Sequence, residues 1–188
     1  MIDGALARRL RLVAFDVDGV LTDGGLYIGR VGDHQAEFKR FDSQDGVAIW
    51  MLKHGGLRVA LVSGRASEST LTRARELKID DVIQDNHKLP ALEVLLATHH
   101  LSLDECAFVG DDLADLPVLR RVALPIAVAN AVPEVKQVAT VVTRAPGGRG
   151  AVREVAETVL RARGDWDALL EQYVEERTYA ARHGARSG

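Results

Sequence analysis

The chain has 188 residues, 47% of them apolar, with a formal net charge of −3 and a pI near 6.1. Such a chain can bury one substantial core, so a single domain over 1–188 is expected, and the balance of charge argues against nucleic acid as a partner. No apolar run reaches the length of a membrane span, the first residues lack a leader-like apolar stretch, and the single Cys106 excludes an internal disulfide. A soluble cytoplasmic protein that does not engage the membrane is therefore expected.

In chain order, Leu12-Val13-Ala14-Phe15 reads as a short buried strand running into Asp16-Val17-Asp18-Gly19. Residues 25–29 and 36–41 flank a glycine-containing turn and predict a hairpin flap over about 25–41. A helix is expected over Val47–His54 and stops at Gly55-Gly56, and a second buried strand over Leu57–Val62 ends at Ser63-Gly64-Arg65. Next come an amphipathic helix over Ser67–Leu77, a strand over Asp81–Gln84 and a helix over Leu89–His100. A strand over Glu105–Val109 leads into Gly110-Asp111-Asp112. A helix near Asp115–Arg121, strands over Ile126–Ala129 and Val138–Thr143, and closing helices over Ala151–Arg163 and Trp166–Ala181 complete the pattern, with a disordered tail expected over 182–188. The closing helical tail thus covers about 164–181. Alternating strands and helices predict an α/β fold, a Rossmann-like three-layer sandwich whose mainly parallel sheet binds ligands at the carboxyl ends of its strands.

The chemistry-bearing residues fall at those ends. Asp16 and Asp18, two apart on a strand, face the same side, and paired carboxylates call for a compensating cation. All-oxygen ligands suit a hard dication such as Mg²⁺. Phosphoryl transfer fits this pair, with Asp16 attacking phosphorus and Asp18 handling the leaving-group proton. The Ser63 hydroxyl and the amides after it are suited to a phosphoryl oxygen, or to capping the next helix. Lys88 is placed to neutralise phosphate and Asp16. Asp111 and Asp112 bring a further carboxylate to the metal, and Asp115 reads as a supporting acid behind it.

This ordered set resembles the haloacid dehalogenase-like phosphohydrolase superfamily from about Leu12 to Asp115. The resemblance implies Asp16 as nucleophile and Asp18 as acid/base that also ligates Mg²⁺ through its carbonyl. It implies phosphate binding by Ser63, Gly64 and Lys88, and completion of the metal site by Asp111. The intervals Asp16–Ser63 and Ser63–Lys88 are too short for an inserted cap domain, so a neighbouring subunit is expected to help close the site.

Asp16 to Gly24, Phe41 to Gly46, Ser63 to Arg65, Gly110 to Pro117 and Thr143 to Val155 resemble the capless, tetrameric 3-deoxy-D-manno-octulosonate 8-phosphate phosphatases. That resemblance implies a phosphorylated sugar acid as substrate, lipopolysaccharide precursor synthesis and a homotetramer whose hairpins meet on its axis. His87, Gln44 and Ala131-Val132-Pro133 depart from the family pattern. Arg65 and Arg73 are candidates for the substrate carboxylate, or for surface pairs with Glu68 or Glu76. Asp42, Ser43, Gln44, Asp45 and Gly46 are candidates for sugar hydroxyls, or form a loop capping the next helix through Asp45. Gly147–Gly150 reads as an anion-binding turn or a plain connection. Other readings are a phosphatase for a nine-carbon sialic-acid-like 9-phosphate, a phosphate-accepting receiver without turnover, and an inactive oligomerisation module.

Overall fold

A computed structural model describes residues 2–79 and 81–183. β1 (Leu12–Phe15) is buried along its whole length, as a strand covered by helices on both faces must be. It lies at the centre of a six-stranded sheet, between β4 (Arg58–Ser63) and β6 (Cys106–Gly110), and pairs in parallel with both. Outside β4 lies β5 (Asp81–Gln84), and outside β6 lie β7 (Leu124–Ala127) and β8 (Val141–Val142). Strand order therefore diverges on the two sides of β1, which opens a crevice at its carboxyl end. The expected parallel sheet is present, and no cap domain interrupts it among the described residues.

β2 (Tyr27–Val31) and β3 (His34–Phe38) form a separate antiparallel hairpin. Gly32, at φ 60°, takes the first central position of a two-residue turn, where a left-handed conformation is required. A Thr22–Phe41 bridge closes the base of this flap. Leu26, Tyr27, Ile28, Val31 and Phe38 are all exposed on it.

Several boundaries differ from expectation. α2 spans Ser43–His54, starting four residues earlier than its apolar pattern, because Asp42 rather than Asp45 caps it by accepting from Gln44 N at 2.9 Å. Ser67, not Ser63, caps α3 (Glu68–Glu76). α4 covers Lys88–Thr98. The region near Asp115 is a 3₁₀ turn, Leu113–Asp115, followed by the short α5 (Leu116–Leu119). Val138 ends α6 (Pro133–Val138), leaving only two residues of β8 where a longer strand was expected. Pro133 at its first turn was the available signal for that helix. α1 (Gly4–Arg9), capped by Asp3, is too short to register as a periodic pattern.

α7 (Ala151–Arg163) buries Ala151, Val152, Val155, Ala156, Val159 and Leu160, a helical stripe, and Gly164 ends it at φ 88°. α8 (Trp166–His183) docks on its own subunit through buried Trp166 and Leu169, and Tyr173 meets Trp50 edge-on at 4.9 Å. The helix continues through His183, and the rest of the expected disordered tail lies outside the described residues.

Candidate active site

Asp16 still belongs to the sheet ladder, its amide donating to the Val109 carbonyl at 2.9 Å. The chain then makes one wide turn over Val17–Leu21, closed by Thr22 N donating to Val17 O at 3.0 Å. Gly19 holds φ 102° in this turn, and a Cβ there would collide with the Asp111 carboxylate. Glycine thus serves twice, permitting the backbone angle and letting the β6 terminus approach β1.

Lys88, the first residue of α4, is buried against two acids. Its Nζ donates to Asp16 Oδ1 at 2.6 Å and to Asp115 Oδ1 at 2.7 Å. Asp115 Oδ2 accepts from the amides of Asp111 at 2.9 Å and Asp112 at 3.2 Å, which fixes the loop carrying Asp111. Asp16, Asp111 and Asp115 each place a carboxylate oxygen within 4.8 Å of the others. Burial, then Asp115, raises Asp16 to about 7 despite Lys88. Burial, then Asp16 and the other two aspartates, raises Asp111 to about 8. Burial opposes the charge on Lys88, but Asp16 and Asp115 outweigh it and hold the ammonium above its ordinary range. One lysine does not satisfy three carboxylates, and Asp111 Oδ1 is buried without a partner. This hard, electron-rich oxygen set fits a divalent cation such as Mg²⁺. Asp115 is committed to Lys88 and two amides, which leaves Asp16 and Asp111 as the carboxylates available to an ion.

Asp18 points elsewhere. Its Oδ1 lies 2.7 Å from Nζ of Lys39, just beyond the flap strand. Ser63 ends β4 with its Oγ accepting from Arg65 N at 3.1 Å, and Gly64 packs against Asn86 and Lys88 so closely that a Cβ would lie 2.9 Å from Asn86 Oδ1. The phosphate-binding candidates are therefore neighbours. Asp112 turns outward to cap the 3₁₀ turn through Leu113 N at 2.7 Å.

The sugar-acid candidates divide. Arg65 is ion-paired with Glu37 of the flap at 2.6 Å, at the rim of the site. Arg73 instead pairs with Glu76 at 3.1 Å, donates to the Asp42 carbonyl at 3.3 Å and lies over the Phe41 ring. That is the surface alternative, and Arg73 lines a cleft of about 510 Å³ between α2, α3 and α8 together with Ser43 and Gly46. Gln44 is exposed in the first turn of α2, so residues 43–46 are helix rather than a free loop. Asp45 is buried and accepts from Arg153 N at 2.9 Å, satisfying the amino-terminal end of α7. Burial raises its carboxyl to about 6. His87 is an exposed neighbour of Asp85.

Gly147–Gly150 is neither a free anion turn nor a slack connection. A Cβ at Gly147 would strike the Gly19 carbonyl, one at Gly148 would strike Thr22, and Gly148 N donates to Val20 O at 3.0 Å. Asn130 joins the two loops, donating to Gly19 O at 3.0 Å and accepting from Gly147 N at 2.6 Å. Sequence reasoning missed Lys39 and Asn130. The alternation from Glu37 in β3 to Lys39, one residue past its end, carries a signal for the first. A lone asparagine carries none.

A buried carboxylate at the end of the central strand, a lysine shared with a supporting acid, and a third carboxylate after the neighbouring strand fit a haloacid dehalogenase-like hydrolase. The family model described by that name matches residues 82–153. Within that class, the chain belongs to the 3-deoxy-D-manno-octulosonate 8-phosphate phosphatase family. The enzyme so named from Escherichia coli (strain K12) is 41% identical over 171 residues, 90% of this chain and 89% of that protein. A similarly named crystal structure from Moraxella catarrhalis, in complex with magnesium ion, phosphate ion and the KDO molecule, is 37% identical with a TM-score of 0.85. It covers 90% of this chain and 97% of that one. The cobalt-bound Haemophilus influenzae phosphatase is 34% identical, covering 85% of this chain and 92% of that one, with a TM-score of 0.78.

Proposed function

We propose that this protein hydrolyses 3-deoxy-D-manno-octulosonate 8-phosphate to the free sugar acid and phosphate, in the service of lipopolysaccharide synthesis. The observation that carries the reading is the convergence of Asp16, Lys88, Asp111 and Asp115 at the end of β1, in a chain whose relatives bear that name. An Asp16 carboxylate oxygen attacks phosphorus in line with the leaving O8, giving an aspartyl phosphate as the P–O8 bond breaks. A primary alkoxide is too basic to leave unprotonated, so Asp18 donates its proton to O8. Asp18 then takes a proton from water as that water attacks phosphorus and releases Asp16. Lys88 holds Asp16 in place and offsets phosphoryl charge, while Ser63 and the Gly64 amide hold the non-bridging oxygens. Asp16, the Asp18 carbonyl and Asp111 would hold Mg²⁺, which when bound would supply positive charge against the phosphoryl group. Arg65, at the rim, is the better placed of the two arginines for the substrate carboxylate. The test is phosphate release from this substrate beside a nine-carbon ulosonic acid 9-phosphate and simple sugar phosphates. A preference for the C8 acid is expected, and equal rates across the panel would overturn the substrate assignment.

Metal binding has a thermodynamic signature of its own. Without metal, Asp16 and Asp111 keep protons up to about 7 and about 8 in the folded state, against an ordinary 3.8 when unfolded. The folded state then binds more protons than the unfolded one across that window, so stability falls as pH rises from about 4 to 8. Bound Mg²⁺ stabilises the deprotonated pair, so the gain in melting temperature on adding Mg²⁺ is expected to be larger at pH 8 than at pH 5. Equal gains at both pH values would count against this assignment.

The cytoplasm is the proposed compartment and a homotetramer the proposed assembly. Isolated hairpins are marginal in water, and this one exposes five large apolar side chains. Tyr27 and Phe38 face each other across it, and burying each against a neighbour contributes about 1.5–3 kcal/mol. Tyr27→Ser combined with Phe38→Ser is expected to shift light-scattering mass to smaller species and to lower sugar-acid turnover. An unchanged tetramer, or a fully active wild-type monomer, would contradict the arrangement.

A further inference from the structure

We propose that Lys39 is the positioning residue that orients the Asp18 carboxyl group for protonation of the leaving group, and that it does so from the flap. The inference rests on the reading of Asp18 as the acid/base.

The Lys39 side chain is 0% exposed, although it follows a hairpin whose strands are largely open to solvent. Burying an ammonium and fixing a long side chain are both costly, so anions must meet it. Two do, Asp18 Oδ1 at 2.7 Å and Glu37 Oε1 at 3.8 Å, and the Thr70 hydroxyl accepts from the ammonium at 3.4 Å. Glu37 is held in turn by Ser67 Oγ at 2.7 Å and Arg65 at 2.6 Å, both on the segment after β4. A continuous polar chain thus runs from Asp18 through Lys39 and Glu37 to the rim of the site.

Asp18 needs such an anchor. It sits at φ −82°, ψ 102° inside the wide turn after β1, outside the cluster formed by Asp16, Asp111 and Asp115. Lys88 is already committed to Asp16 and Asp115, so Lys39 is the cation that meets Asp18 among the described residues. At 2.7 Å the ammonium is in direct ion-pair contact with Asp18 Oδ1 and restrains the direction of that carboxyl group. Because Lys39 belongs to the flap, the seating of the flap and the aim of the acid become one variable.

The discriminating readout is leaving-group dependence. An alkyl phosphate requires a proton from the acid as its alcohol departs, whereas p-nitrophenolate leaves without one. kcat/KM reports only steps through departure of that first product. For Lys39→Met, kcat/KM is expected to fall about 10- to 100-fold on 3-deoxy-D-manno-octulosonate 8-phosphate and on glycerol 1-phosphate, part of the whole worth of an acid, and less than about 3-fold on p-nitrophenyl phosphate. Lys39→Arg, which keeps the charge, should recover most of the alkyl activity and guards against a Met variant that misfolds. Asp18→Asn is the reference for losing the acid itself. Equal losses on all three substrates, or none, would overturn the proposal, and a loss confined to the sugar acid would make Lys39 a substrate contact instead. Leaving-group dependence in Asp18→Asn but not in Lys39→Met defeats the Lys39 inference alone. Its absence in Asp18→Asn defeats the reading of Asp18 and this inference with it.

Discussion

Asp16→Asn is expected to lower kcat by roughly 10⁴-fold or more on any phosphate ester, because the amide cannot form the covalent intermediate. The same change is expected to raise, not lower, the stability of the metal-free protein at pH 8. Asp16 is buried beside Asp115 and titrates near 7 rather than 3.8, so its ionised form is a folded-state cost that grows as pH rises through that interval. Asparagine carries no such cost, and its carbonyl oxygen still accepts from Lys88. A gain of about 1 kcal/mol would appear as about 2–4 °C in a chain of this size. Below pH 4 the wild-type carboxyl is protonated in both states, and the difference should vanish. Turnover within about 100-fold of the unmodified enzyme would remove Asp16 from the nucleophile's place. A lower melting temperature at pH 8 would show that the charge of Asp16 on Lys88 outweighs its burial and its repulsion by Asp115.

That combination of lost activity and gained stability is what a site assembled for chemistry rather than for folding should show. It also explains why much of the site was legible in the sequence. Asp16 and Asp111 directly follow apolar strand runs, where a parallel sheet gathers its ligands, whereas Lys88 and Asp115 were joined to them by the resemblance of the ordered set rather than by periodicity. Gly19 was legible as a turn residue. What it permits, the approach of Asp111, depends on a partner far along the chain.

The less legible parts share a cause. Asp42 and Asp45 are three residues apart and chemically identical, yet one caps α2 and the other is buried under the amino terminus of α7. Only the packing of α2 on α7 separates those roles. Arg65 and Arg73 both follow the β4 strand, but Arg65 meets the flap and Arg73 lies over Phe41, a distinction made by the path of residues 37–42. α6 and the shortened β8 turned on a proline at a helix start, weighed against a run of valines with strand propensity. The alternation alone does not set Lys39 apart, since a lysine on a hairpin is ordinarily solvated. Its burial follows from how the flap folds back over the turn after β1.

Lys88→Met should reveal how much of the cluster depends on one cation. The thioether side chain preserves most of the volume but leaves Asp16 and Asp115 facing each other without the ammonium that bonds to both at 2.6 and 2.7 Å. Removing one partner of a buried ion pair typically costs about 3–5 kcal/mol, and here two carboxylates lose it together. Without the lysine that holds it down, Asp16 must bind its proton more strongly still than at about 7, so the folded variant holds a proton that the unfolded chain has released above pH 4. Its stability deficit should therefore be largest near pH 8 and shrink toward pH 5, the direction opposite to acid denaturation of an ordinary salt bridge. Mg²⁺ should recover part of that stability, because it supplies charge to the same oxygens. It should not recover turnover, since the ammonium that holds Asp16 and offsets phosphoryl charge is gone. Thermal melts at the two pH values, with and without Mg²⁺, separate these effects. A deficit independent of pH would mean that Lys88 serves the packing of α4 rather than the electrostatics of the site.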